Sequence, residues 1–186
     1  MLVHALSPND MKTYIALLRG INVGGHRKIR MAELREMFSG MGLADVQTYI
    51  QSGNVIFKSP DRHEAGLAAA IQHEIADTFG YRVPVIIRTK ADFERTVERY
   101  PFEEKEGWRG YITFLSDQPS SKKQEELEAL STEIETFCMG PRVVYVHVNK
   151  QAAEKPLFSS NFIQQRLNIP STNRNLHTIR KLLALA

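Results

Sequence analysis

The chain has one cysteine, Cys138, in 186 residues. That excludes an internal disulfide framework and any all-cysteine metal site. No apolar run approaches the ~18 residues that a membrane-spanning helix needs. The histidines (His4, His26, His63, His73, His147 and His177) show neither HxxxH nor HExxH spacing, so no metal is expected. GxSxG and the P-loop pattern GxxxxGK[ST] are absent, and Gly20, Gly24 and Gly25 miss the GxGxxG spacing. No catalytic set stands out, and no cofactor is expected. The glutamate pairs Glu103-Glu104 and Glu125-Glu126 read as solvated surface, and Cys138, between Phe137 and Met139, as a structural thiol. No Gly/Ser-rich linker divides the chain.

What is present is ordinary in amount and uneven in distribution. Hydrophobic residues make up 42% and charged residues 24%, which excludes a disordered chain, a collagen and a coiled coil. The net charge of +3 conceals segregation. Residues 11–60 carry 7 Lys/Arg against 3 Asp/Glu, and residues 141–186 carry 7 against 1. The middle, 61–140, carries 10 against 16. If the two basic ends meet, they form an electropositive face that suits a phosphate-bearing partner. Residues 1–10 hold no basic n-region and no long apolar run, so they read as an extension rather than a signal peptide, with Met11 as an alternative start. The expected compartment is the cytoplasm, with no membrane partner.

Periodicity sets the architecture. Residues 12–19 form a continuous apolar strand, and 20–28 a Gly-rich basic loop. Met31, Leu34, Met37, Phe38 and Met41 have helical spacing, ended by Gly42. Strands at 46–50 and 55–58 flank the turn Gln51-Ser52-Gly53-Asn54, where Gly-Asn is expected to supply positive φ. A helix over 62–79 and a strand over 83–88 follow, with Pro84 pointing to an edge position. The order βαββαβ is ferredoxin-like.

Beyond residue 90 the reading is helix 91–99, strand 110–115, helix 120–134 capped by Ser121, strand 136–139, a turn at Gly140-Pro141, and strand 142–149. A helix from Pro156 to residue 167, stopped by Asn168, leads to a last helix capped by Thr172 or Asn173. The expected fold is α+β: two ferredoxin-like (βαββαβ-type) halves, each an antiparallel sheet with helices on one face. The divisions are 1–10 as the extension, 11–90 as the first half, and 91–186 as the second half with C-terminal helices. Trp108 lies near the division and is expected to pack there.

Three stretches collect polar chemistry. Arg19 to Lys28 crowds Arg19, Asn22, His26 and Lys28 around Gly24-Gly25, whose N–H groups can converge on an oxyanion. In the hairpin, Asn54 or Gln51 can approach that loop, because strands one and three are neighbours in this topology. The run 171–181 is read as a helix start that gathers Arg174, Asn175 and Thr178. A βαββαβ order also allows an RNA-recognition motif with Tyr14 as a stacking aromatic, but the third strand lacks the basic-Gly-aromatic pattern.

The residues from Ala16 to Gly25, then Lys28, Met31, Leu34-Arg35, and Val46 to Val55 resemble the domain-of-unknown-function 1697 family. Its closing signature, TARNWNTV, is similar to Thr172-Asn173-Arg174-Asn175-Leu176-His177-Thr178-Ile179, with departures at Asn173, Leu176 and His177. The resemblance implies a cytosolic α+β protein of two ferredoxin-like halves over residues 11–186, and it supplies no activity or catalytic residue. It does join the two basic stretches: Arg19, Asn22, Gly24, Gly25, Asn54, Arg174 and Asn175 are expected to line one groove. Three functions stay open. They are a module for nucleic acid or another phosphate-rich polymer, an enzyme or sensor for a small anionic metabolite such as a nucleotide, and a protein-interaction module using the strand edge at 83–88. If the protein is an enzyme, acid–base work falls to His26 or His177.

Overall fold

The computed structural model describes residues 11–61, 63–159 and 161–186. The proposed extension, 1–10, lies outside them. Eight strands among the described residues form two four-stranded antiparallel sheets, accompanied by six helices. Among the described residues, the first compact unit comprises 11–93 with Leu182–Ala186, and the second Glu94–Lys181.

The first unit runs β1 (Lys12–Leu18), α1 (Met31–Gly40), β2 (Ala44–Tyr49), β3 (Asn54–Ser59), α2 (Glu64–Phe79), β4 (Val85–Thr89) and the start of α3 (Lys90–Glu98). The strand order β2-β3-β1-β4 puts the apolar β1 in the centre and the Pro84-led β4 at an edge. Tyr14, Ala16 and Leu18 of β1 alternate onto the face that meets Leu34 and Phe38 of α1 and Ile71 and Ile75 of α2. Phe57 completes this core, with its ring centroid 5.7 Å from Tyr14 and 5.6 Å from Phe38. Each such side chain contributes about 1.5–3 kcal/mol on burial. Tyr14 is 1% exposed, and its hydroxyl donates to the Asp61 carbonyl at 2.8 Å. It is therefore a core residue and cannot stack on RNA, which removes the RNA-recognition reading of β1.

The second unit runs from the rest of α3 through β5 (Trp108–Leu115), α4 (Ser121–Glu128), β6 (Glu135–Gly140), β7 (Val143–Asn149), α5 (Phe162–Leu167) and β8 (Ser171–Asn175) into α6 (Leu176–Leu185). Its order is β6-β7-β5-β8. Val144, Val146 and Val148 face Leu127 of α4 and Ile163 and Leu167 of α5, while Tyr145 and His147 take the other face.

Four expectations change here. The helix expected over 120–134 ends at Glu128, with Ser120 rather than Ser121 at its N-cap. Side chains at and beyond its end serve the strand instead: Ser131 Oγ accepts from the Phe137 N–H (3.0 Å) and Glu128 Oε1 from the Met139 N–H (2.6 Å). The helix expected from Pro156 begins at Phe162. Before it, the buried Glu135 carboxylate accepts the N–H groups of Leu157 (2.7 Å) and Phe158 (2.9 Å), which holds that stretch off the helical path. Residues 171–175 are not a helix start but an edge strand, and the α6 cap is Asn175, whose Oδ1 accepts from Thr178 N at 2.7 Å. In the hairpin, positive φ falls on Ile50 and Gly53, while Asn54 opens β3.

With β8 in place, the two units share one register. Tyr14 pairs Phe57 and Thr89, and Tyr111 pairs Val146 and Asn175. Leu18 N donates to Gly53 O as Leu115 N does to Arg142 O, and Arg19 N to Pro84 O as Ser116 N to Pro170 O. The same residue type stands at several positions matched this way, among them Tyr14 and Tyr111, Ile15 and Ile112, Pro84 and Pro170, and Arg88 and Arg174. Unequal loops hide these identities in the linear sequence. The β1–α1 connection spans residues 19–30, twelve in all, whereas its counterpart spans 116–120, only five.

Candidate functional site

The long β1–α1 connection is built around Asn22. Its φ of 55° is one that asparagine tolerates. Its Nδ2 donates to the carbonyls of Ile29 and Gln51, both at 2.9 Å, and its Oδ1 accepts from Ile29 N at 2.9 Å. One amide thus closes the base of the loop and ties it to the β2–β3 turn. The expected approach of Gln51 to this loop is present.

Beyond Asn22, the loop folds back as a small hairpin. Gly24 (φ 58°) and Gly25 (φ 79°) form its two-residue tip, closed by a bond from His26 N to Val23 O at 3.1 Å. Two consecutive left-handed residues make a type I′ turn. The tip is therefore a reverse turn, and only Gly25 of the pair reaches the cavity below it. His26 is exposed. Arg19 lies at the root of the loop, partly buried, and burial together with the nearby Arg27 draws its guanidinium below the ordinary value.

The cavity measures ≈450 Å³ and is lined by Asn22, Gly25, Lys28, Ile29, Arg30, Met31 and Gln51. It opens onto the N-terminus of α1, whose N-cap, Arg30, makes no side-chain capping bond. The positive end of the helix and two cations therefore converge there. No carboxylate lines it; Glu33 meets Arg30 at 3.6 Å as an exposed pair of little energetic worth. Of the lining residues, Arg30 has no place in the sequence reading, and Met31 enters it only as a helix position and a family match. The signal for Arg30 was available, as a basic residue immediately before a helix with no capping side chain.

Asn54 is fully buried, and its Nδ2 donates to Tyr49 O and Ser52 Oγ, both at 3.0 Å. Its work is to shape the turn. Arg174, Asn175 and Thr178 belong to the second unit. Arg174 Nη1 donates to Thr172 Oγ1 (2.9 Å) and Asn173 O (2.8 Å), and burial lowers its pKa while leaving it cationic at neutral pH. Asn175 is exposed and caps α6, and Thr178 is buried.

The second unit has its own cavity, ≈690 Å³, whose lining includes Tyr100, Glu104, Lys105, Trp108, His147, Asn175, His177 and Arg180. Several of these groups already have partners within the unit. Arg180 binds Glu104, and that bond holds the carboxyl below its usual range. Lys105 Nζ lies over the Trp108 ring, 4.9 Å from its centroid. The His147 ring contacts Phe102 (5.2 Å, stacked) and Trp108 (4.8 Å), and burial with Lys105 nearby lowers its pKa. Burial pushes the Tyr100 phenol up to about 12. Trp108 is thus engaged by Lys105 and His147. Cys138 is half-buried, and burial with Glu128 nearby raises its thiol pKa. No cluster of three or more metal-ligating side chains occurs among the described residues, and no helix among them is long and apolar enough to cross a membrane.

The fold is shared with a conserved bacterial protein from Streptococcus pneumoniae, at 25% identity and a TM-score of 0.76 over 94% of this chain and 98% of that one. No curated protein matches. The family match stops short of the closing signature at 172–179, so the resemblance there rests on its residues alone. Residues 11–145 match the family described as Protein of unknown function (DUF1697), and the chain belongs to that family.

Proposed function

We propose that the protein binds a phosphate-bearing ligand in the cavity at the N-terminus of α1. One observation carries the reading: Lys28, Arg30 and an uncapped helix end converge on a cavity without a lining carboxylate. Free N–H groups and the macrodipole at such an end favour an anion, and the two side chains add charge-assisted bonds. The loop's length supports the same reading. The second unit joins its equivalent strand and helix with five residues, so the extra seven are not needed for the connection. Segments longer than the scaffold requires are where binding groups collect.

The test is fluorescence anisotropy of a labelled single-stranded oligonucleotide, with ATP and inorganic phosphate as competitors. With about three phosphate contacts, affinity falls roughly 20-fold between 50 and 200 mM salt. The double substitution Lys28→Ala/Arg30→Ala weakens binding at least tenfold and flattens that salt dependence. Wild-type binding that ignores salt, or that survives the double substitution, overturns the reading.

A further inference from the structure

Beside the cavity, two apolar side chains stand in water with nothing in the fold to account for them. Val23 is 64% exposed and Ile50 is 51% exposed. They are the chain neighbours of Asn22 and Gln51, which are joined by the 2.9 Å amide bond. Ile50 is also strained. Its φ is 49°, a region that β-branched residues avoid because the side chain crowds the backbone. Glycine or asparagine would fit that turn better, so neither packing nor conformation favours isoleucine there. Next to it, Gln51 is an exposed residue of the cavity lining. A carboxamide offers a donor and an acceptor side by side.

Resting on the phosphate reading above, we infer that the ligand is a nucleotide unit of a single-stranded nucleic acid. Its phosphate sits at Lys28, Arg30 and the α1 N-terminus, its base lies against Ile50 and Val23, and the Gln51 amide meets the base edge. Unpaired bases present an apolar face and a hydrogen-bonding edge at once, and this surface offers the complement of both. Two β-branched side chains provide enough apolar surface for one base and too little for membrane insertion. The cations alongside, Arg27, Lys28 and Arg30, complement a polyanion.

The experiment compares three labelled probes of equal charge: an oligodeoxyadenylate, an abasic oligomer and linear polyphosphate. Ile50→Asn relieves the backbone strain, so its melting temperature rises, whereas its affinity for oligodeoxyadenylate falls about fivefold, as expected for losing part of one buried aliphatic side chain. Its affinity for the abasic oligomer and polyphosphate stays unchanged. Gln51→Ala weakens oligodeoxyadenylate alone in the same way. If wild type binds all three probes equally and Ile50→Asn loses nothing, the base contact is wrong and the phosphate site stands. If wild type binds none of the probes, the phosphate site falls, and the nucleotide with it. Displacement by polyglutamate as effective as displacement by oligodeoxyadenylate overturns the nucleotide in favour of an acidic polypeptide.

Discussion

Gly53 shows how tightly the turn beside the cavity is specified. Its φ is 75°, and a Cβ added there would lie 2.6 Å from Leu18 Cβ and 2.9 Å from Ile21 Cδ1. Backbone and space therefore both demand glycine. Gly53→Ala costs about 2–4 kcal/mol from left-handed strain plus overpacking of two buried side chains, readable as a lower urea midpoint. A loss below about 0.5 kcal/mol would mean that the turn relaxes freely. At this scale the sequence was legible in kind more than in role. The crowding of Asn22, Gly25 and Lys28 is visible in the string, but which amide is committed to holding the chain is not. Asn22 and Asn54 look alike in sequence, yet both are committed to backbone partners. Gln51, an exposed residue, was legible as a turn residue able to approach the loop, though not as part of the cavity lining.

At the scale of elements, Glu135 is the residue to probe. Its carboxylate, 1% exposed, is the reason that the chain before α5 is not helical. Glu135→Gln replaces one acceptor oxygen with an N–H group facing a backbone N–H, at a cost of about 1–3 kcal/mol. Amide exchange at Leu157 and Phe158 then speeds up while the β5–β7 amides keep their protection. Unchanged exchange at those two positions would show that the carboxylate is not what holds them. The elements that were legible had a period to read: the apolar run of β1, the 3.6-residue stripe of α1 and the alternation of β7. Those misread lacked one. β8 is five polar residues at a sheet edge, a strand only because β5 offers it a ladder. The start of α5 is set by Glu135 reaching the backbone of Leu157 and Phe158, partners too far apart in sequence for a local window. Past α4, Ser131 and Glu128 bond the Phe137 and Met139 N–H groups, a side-chain choice that hydrophobic periodicity does not encode.

For the whole molecule, the pH profile of stability has a defined sign. Burial and Lys105 lower the pKa of His147. Below about pH 6.5 the unfolded chain therefore takes up more protons at this site than the folded one. Stability from this residue is complete above that pH, declines as pH falls toward the folded pKa, and levels off below it. Thermal melts at about pH 7.5 and about pH 5 should show a smaller acid-side loss for His147→Gln than for wild type, and equal losses would assign the slope to other groups. The half-buried position keeps the effect modest.

Two copies of one plan in a single chain make each the other's control. Strand for strand, the second unit repeats the pairing of the first and joins its central strand to the next helix in five residues. The shared plan therefore folds with a five-residue connection, and the first unit's twelve-residue loop exceeds what its strand and helix require. Its sequence is free to change without touching the pairing of either sheet.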